Sequence, residues 1–287
     1  MSGVFDYSVA FSRNIGWFTS DEQAALREKR IAIAGMGGVG GGHLLTLARL
    51  GIARFTLADF DSFDLVNFNR QAGAMMSSLG QPKLDVLAKM ARDVNPDIEL
   101  ALHPEGVATD RVDEFLAGAD LYVDSLDFFA FDARRAVFAA CDRLGIPAVT
   151  AAPLGMSTAV LVFMPGQMSF EEYFRLDGCS DDEMAVRFFL GLAPGALHAA
   201  QLVVPSSIDL KNRKGPSTII GCQLCAGVAA AEAVKILLGR GTVMAAPHGY
   251  QFDPFSGRLH HSFLEKGNDE PEQIRRIEEM KRSIGIQ

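Results

Sequence analysis

Arg30-Ile31-Ala32-Ile33-Ala34-Gly35-Met36-Gly37-Gly38-Val39-Gly40 is the stretch whose reading decides the fold. Residues Arg30–Ala34 form a short apolar strand, Gly35–Gly42 a glycine-rich turn, and His43–Leu50 a helix. Gly35, Gly37 and Gly40 fit G-x-G-x-x-G directly between a strand and a helix, with Gly38 as an additional glycine. Such a loop turns tightly and brings its amides against a phosphate at a helix N-terminus. The next strand, Arg54–Ala58, is followed by Asp59, 19 residues beyond Gly40. A carboxylate there can accept hydrogen bonds from ribose hydroxyls. To this point the residues describe an NAD enzyme as well as an ATP enzyme.

Outward from this unit the chain alternates. Ser20–Lys29 reads as a helix capped by Thr19 or Ser20. Lys83–Val94 is a helix stopped at Asn95-Pro96, because the residue before a proline avoids the helical region. Strands at Ile98–Leu102, Asp120–Val123 and Pro147–Ala151 are separated by helices near Arg111–Leu116 and over Ala133–Leu144. This alternation predicts β-α-β units and a parallel sheet. Beyond Met156 the pattern changes: a strand at Thr158–Met164, an irregular stretch with a helix around Glu183–Leu190, and a long small-residue helix at Ile219–Leu238. Strands at Met244–Phe252 and Arg258–Phe263 and a surface helix at Pro271–Ile284 complete the chain. The fold class is α/β and Rossmann-like: a mostly parallel central sheet extended by antiparallel strands, with helices on both faces. One domain over residues 1–287 is expected, with a variable substrate segment at 165–216 inside it.

The 287 residues are 48% hydrophobic and 22% charged, enough for a sizeable core without staples. Four cysteines, Cys141, Cys179, Cys222 and Cys225, fit a reducing compartment and a cytoplasmic location. No signal peptide is read at the N-terminus. No uncharged apolar stretch approaches the roughly 20 residues that span a bilayer, so no membrane partner is expected. A formal net charge of −8 argues against a nucleic-acid-coating surface.

A second cluster chooses between the nucleotides. Asp59-Phe60-Asp61, Asn67-Phe68-Asn69-Arg70-Gln71, Gly80-Gln81-Pro82-Lys83 and Asp124-Ser125-Leu126-Asp127 follow in order. A dehydrogenase has no use for this set. Arg70 and Lys83 supply the fixed positive charge that a triphosphate requires. Asp127, just past a strand at the carboxyl edge of the sheet, suits Mg bound to phosphate oxygens.

These five ordered motifs resemble those of the ThiF/MoeB/HesA adenylyltransferases, relatives of the ubiquitin-activating enzymes, over roughly Ser12–Met164 and again over Gly215–Gly239. The resemblance implies an ATP- and Mg-dependent nucleotidyltransferase that activates a carboxylate as an acyl-adenylate with release of pyrophosphate. It implies that Asp59 holds the ribose, that Asn67, Arg70 and Lys83 contact phosphates, that Gln71 supports Arg70, and that Asp127 organises Mg and the α-phosphate. Asp61 joins the nucleotide-binding set with Gly35, Gly37, Gly38 and Gly40. Arg13 resembles the family's N-terminal arginine, which reaches the partner's ATP across a homodimer. The implied substrate is the C-terminus of a small ubiquitin-like or sulfur-carrier protein; relatives also act on ribosomal peptides or cyclise threonylcarbamoyl-adenosine in tRNA, the latter disfavoured by the net charge. An NAD-dependent oxidoreductase and a non-catalytic scaffold remain as competing readings.

Sulfur-carrier activators commonly hold zinc on two C-x-x-C pairs, whereas only Cys222-Gln223-Leu224-Cys225 is present here. Zinc is therefore not expected, because a closed site wants four ligands, and these two cysteines are read as core packing. Cys179, in Asp177-Gly178-Cys179-Ser180-Asp181-Asp182, is a candidate acyl-accepting cysteine, though its carboxylate neighbours should raise its pKa and favour a bystander role. Cys141 is read as core, Trp17 as packing the N-terminal helix against the domain, His260-His261 as a strand edge, and Lys211-Asn212-Arg213-Lys214 as a basic loop that either is solvated or closes over the substrate tail.

Overall fold

The computed structural model describes residues 4–208 and 213–286. Eight strands form one sheet: β1 (Arg30–Ala34), β2 (Arg54–Ala58), β3 (Glu99–His103), β4 (Leu121–Asp124), β5 (Ala148–Leu154), β6 (Ser157–Phe163), β7 (His248–Asp253) and β8 (Arg258–Phe263). Their spatial order is β3-β2-β1-β4-β5-β6-β7-β8. The first five run parallel and the last three extend the sheet antiparallel. The chain leaves β1 toward β2 and β3, then returns to place β4 on the other side of β1. That reversal opens a crevice at the carboxyl ends of β1 and β4, where ligands of open α/β sheets bind.

Ten helices accompany the strands among the described residues: α1 (Tyr7–Ala10), α2 (Ser20–Glu28), α3 (Gly40–Arg49), α4 (Lys83–Val94), α5 (Val112–Phe115), α6 (Phe131–Leu144), α7 (Phe170–Phe174), α8 (Asp181–Leu192), α9 (Ile219–Leu238) and α10 (Pro271–Ile284). Side chains of β1 alternate between two cores, as a strand requires. Ile31 and Ile33 pack with Leu44, Leu47, Leu87 and Ala229 under α3, α4 and α9. Ala32 and Ala34 face the other layer, where Phe131, Phe138, Phe170 and Phe188 of α6, α7 and α8 meet Tyr122 and Phe163. By length and composition α9 could cross a membrane. In this fold Cys225, Ala226, Ala229 and Ala233 are buried, and Glu232 accepts from Lys235 Nζ at 2.6 Å and Tyr250 Oη at 2.9 Å.

Most elements match their sequence reading within a few residues, with three departures. Helix α3 begins at Gly40, three residues earlier than expected, so the glycine turn itself supplies the first helical turn. The described part of residues 165–216 is more regular than expected: α7 and an α8 of 12 residues are followed by 3-10 turns at Leu197–Gln201 and Pro205–Ser207. Trp17 does not pack against the domain; it is 83% exposed, and Phe18 is the residue buried there. The entry to α2 is fixed instead by a capping box between Thr19 and Glu22. Lys211 and Asn212 of the basic run lie outside the described residues. Cys141 is buried, and His260 and His261 lie on β8 at the sheet edge, both as read.

His43, in the first turn of α3, is fully buried with neither ring nitrogen hydrogen-bonded. Burial pushes its pKa down to about 4, against a weaker upward pull from Asp124. An unfolded histidine titrates near ~6.5, so below that pH the unfolded chain binds the extra proton. The stability of the neutral ring is therefore complete above pH ~6.5 and lost as the pH falls toward 4. We predict that urea unfolding loses about 2 kcal/mol more between pH 7.5 and 5 in the native protein than in His43→Leu. Equal losses in the two proteins would show that the ring keeps its ordinary pKa in the fold.

Candidate nucleotide-binding and active site

The site starts from a backbone contact. Gly35 closes β1 with φ +90° and donates its N–H to the Ala58 carbonyl at 2.8 Å. A Cβ there would overlap the Ser125 carbonyl, and one on Gly40 would overlap the carbonyl of Gly35. Only glycine lets the loop fold back on itself and press against the end of β4. Gly37 and Gly38 differ: a Cβ on Gly37 would meet only Gln71 Nε2 at 3.9 Å, and one on Gly38 would stand 3.5 Å from Cys222 Sγ and 3.8 Å from Arg70 Nε. The protein leaves this face of the loop open, as a cradle for a ligand must be.

Around the loop the second motif cluster assembles. Asp59 accepts hydrogen bonds from the N–H groups of Met36 and Asp61, tying β2 to the glycine turn. Burial raises its pKa, and those two amides pull it back. Its two oxygens keep acceptor positions for further donors after these bonds, as a ribose hydroxyl would need. Lys83, 6% exposed at the start of α4, bonds Asp61 through Nζ–Oδ2 at 2.8 Å; the Asp61 side chain is 55% exposed. Arg70 donates to the Val66 carbonyl and to Asn69 Oδ1, each at 2.9 Å, and meets no carboxylate among the described residues. Its charge is thus free to meet an anion in front of Gly38.

Three placements differ from expectation. Asn67 is buried, and its Oδ1 accepts from the Asp64 N–H at 2.9 Å, a loop cap. Gln71 makes no hydrogen bond to Arg70; it is buried beside Gly37 with its Oε1 unpartnered. Cys222 is buried as read, but its sulfur faces Gly38 and so borders the site. Cys225 lies deeper, 3.1 Å from Thr158 Oγ1.

Asp127 lies three residues beyond β4, exposed and paired with no cation among the described residues; its Oδ1 accepts from the Phe129 N–H at 3.0 Å. The neighbouring Ser125 hydroxyl is buried without a partner. Two orphaned polar atoms, an unpaired arginine, an exposed carboxylate and an open glycine cradle on one edge fit a phosphorylated ligand with a divalent cation. The structure does not bring Arg13 to this edge. Arg13 is exposed beside Asn14, which bonds Gln23, itself bonded to the Leu50 carbonyl beyond the far end of α3. A 10-residue helix puts that end about 15 Å from the loop. Cys179 makes only weak local contacts, to the carbonyls of Arg175 and Asp177. Its thiol is pushed up, but the main cause is burial rather than the aspartates beside it; Arg187 opposes, while Glu183 and Glu171 add to the rise.

Sequence reading missed Arg134. It is buried on α6 and ion-paired with the equally buried Asp124 at 2.9 Å. The signal was present: Phe131, Arg134, Val137, Phe138 and Cys141 fall on one helical stripe, placing a charge among residues that face the core.

The chain matches the model of the ThiF family over residues 11–273. It is 29% identical over 159 residues to the tRNA threonylcarbamoyladenosine dehydratase of Haemophilus influenzae, covering 55% of this chain and 60% of that protein. To the sulfur carrier protein ThiS adenylyltransferase of Escherichia coli it is 31% identical over 145 residues, 50% of this chain and 57% of the relative. The match thus spans less than two thirds of either relative's length. E. coli MccB, solved with AMPCPP and MccA, superposes with a TM-score of 0.69 at 19% identity, covering 92% of this chain and 73% of that one, a likeness of fold. A family match across nearly the whole chain, lying over the glycine loop and every motif gathered around it, establishes that this protein belongs to the ThiF family.

Proposed function

We propose that the protein is an ATP-dependent adenylyltransferase that activates a carboxylate as an acyl-adenylate, releasing pyrophosphate. One observation carries this reading: the open face of the glycine loop at Gly37 and Gly38 is bordered by an arginine with no acidic partner among the described residues. A dinucleotide pyrophosphate seated on backbone amides has no need of that unpaired charge, whereas a triphosphate does. Lys83, held by Asp61, adds a second cation one short chain of contacts away. Asp127 is the residue that would hold Mg, which when bound neutralises phosphate charge. The substrate carboxylate is itself the nucleophile at the α-phosphorus, so no general base is assigned. Positioning and charge from Arg70 and Lys83 supply the catalysis.

The acyl substrate in this reading is the C-terminus of a small ubiquitin-like or sulfur-carrier protein, or of a peptide, and the relatives' names support a substrate of that kind. A modified tRNA is the second reading, favoured by the similarity to the dehydratase and opposed by the net charge of −8. The position of Arg13, at the other end of α3 from its own loop, supports a role in the site of a second copy. We therefore propose a homodimer with shared sites.

Calorimetric titration should show binding of ATP with Mg and none of NAD or NADP. Arg70→Ala and Lys83→Ala should each weaken ATP at least about tenfold, the scale of a lost charged hydrogen bond. NAD binding without ATP binding would instead return the chain to the oxidoreductases. With a carboxylate that supports pyrophosphate exchange, Arg13→Ala and Lys83→Ala should each be nearly inactive alone. Mixed and allowed to exchange subunits, they should recover about a quarter of native exchange, since half the dimers then contain one intact site. No recovery on mixing would remove the shared site.

A further inference from the structure

The loop carrying Asp127 has no regular structure between β4 and α6, and a buried guanidinium braces it. Both Arg134 and Asp124 have side chains 3% exposed. Arg134 Nε donates to Asp124 Oδ2 at 2.9 Å, Nη2 to the carbonyls of Leu126 at 2.8 Å and Asp127 at 2.9 Å, and Nη1 to the carbonyl of Phe128 at 3.1 Å. Asp124 also accepts from Thr150 Oγ1 and Tyr122 Oη, each at 3.1 Å, and from the Leu126 N–H at 3.3 Å. A buried arginine must have its charge met and its donors satisfied. Here three consecutive carbonyls satisfy them, so the fixed fork of the guanidinium is copied into the path of residues 126–128. The carboxylate of Asp127 has the Phe129 N–H as its remaining local anchor.

Residues of the 165–216 segment close over this brace. Phe188 of α8 stacks on the guanidinium, 4.7 Å from its carbon to the ring centroid, and packs against Phe128 and Phe131 at 5.3 and 5.8 Å. Arg213 lies 5.7 Å over the ring of Phe129 and pairs at 2.7 Å with Asp181, the first residue of α8. The segment therefore touches the Asp127 loop at Phe128 and Phe129 and covers the cation that holds it.

We propose that Arg134 is a positioning residue that sets Asp127 for metal–nucleotide binding, and that Phe188 makes the 165–216 segment part of that setting. That Asp127 is set for a metal and a nucleotide rests on the nucleotide reading given above; that Arg134 and Phe188 hold the loop does not. Whatever moves α8 is then felt at Asp127 through one stacked ring.

Two measurements test this, one needing no ligand. Arg134→Lys keeps a charge beside Asp124 but cannot reach three carbonyls at once. In the nucleotide-free protein, amides of residues 125–130 should exchange with deuterium about tenfold faster in Arg134→Lys. In calorimetry, the gain in ATP affinity that Mg confers should fall about tenfold, with Mg-free ATP affinity changed less than about twofold. Phe188→Leu should shift both readings in the same direction, by about threefold. A merely structural role would lower the melting temperature without singling out the loop amides or the Mg-dependent part of binding. Asp127→Asn should lose the Mg gain while its loop exchange stays native. Unchanged loop exchange in a folded Arg134→Lys would overturn the proposal, as would an unchanged Mg gain; if that variant does not fold, the same two readings on Phe188→Leu decide. Native protein that binds no ATP would overturn the nucleotide reading and the metal half of the proposal with it, while the exchange data would still decide whether Arg134 holds the loop.

Discussion

The candidate site edge of this protein depends on one place where two backbones touch without side chains between them. Gly35 lies against the carbonyl of Ser125, and Gly40 against the carbonyl of Gly35, so the turn after β1 is pressed onto the end of β4. This contact welds the two halves of the chain at the point where the strand order reverses. Asp59 adds its hydrogen bond to Met36, Lys83 is tied to Asp61, and Asp127 leaves β4 only three residues beyond Asp124. Adding one methyl group at residue 35 would push the turn off the end of β4, though none of the charged groups would itself have changed.

Much of this edge was legible in the sequence because it is built from local rules. A strand–turn–helix with glycines at fixed spacing has few other uses, and Arg30–Ala34, Arg54–Ala58 and Lys83–Val94 appear with the bounds their patterns imply. Sequence order also implied that Arg70, Lys83 and Asp127 each follow a strand whose carboxyl end points the same way, and the sheet has that topology. What escaped was set by tertiary geometry. Arg134 reads as an ordinary helix residue until Asp124, on a different element, is known to stand opposite it. Cys222 reads as core, and is buried, yet which wall its sulfur faces depends on how α9 crosses the glycine loop. Trp17 was misjudged because size suggests burial, whereas the capping box of α2 turns the chain so that Phe18 goes inside.

Charge is distributed over the site unevenly. Asp124 and Arg134 neutralise one another in the interior and accept or donate further hydrogen bonds, as buried ions must. Lys83 is buried but paired with an exposed aspartate, so it is held without being cancelled by a second buried charge. Arg70 and Asp127 have no ionic partner among the described residues. The fixed pair shapes the backbone, and Arg70 and Asp127 are the charges that a ligand would meet in the function proposed above.

The order of the strands has a consequence for how the molecule comes apart. β5 and β6 are joined through Gly155 and Met156, a nearly local pairing, whereas β1 meets β4 with Ile31 opposite Leu121. Bringing residues so distant in the chain together carries the larger loop-closure entropy and little local reward until the contact is complete. The crevice is made by that distant pairing and has no counterpart in any single fragment. A molecule lodged between Gly37 and Asp127 would bridge a seam whose two sides lie far apart in the chain and gain freedom by separating, so occupancy of the crevice and integrity of the whole sheet are linked quantities.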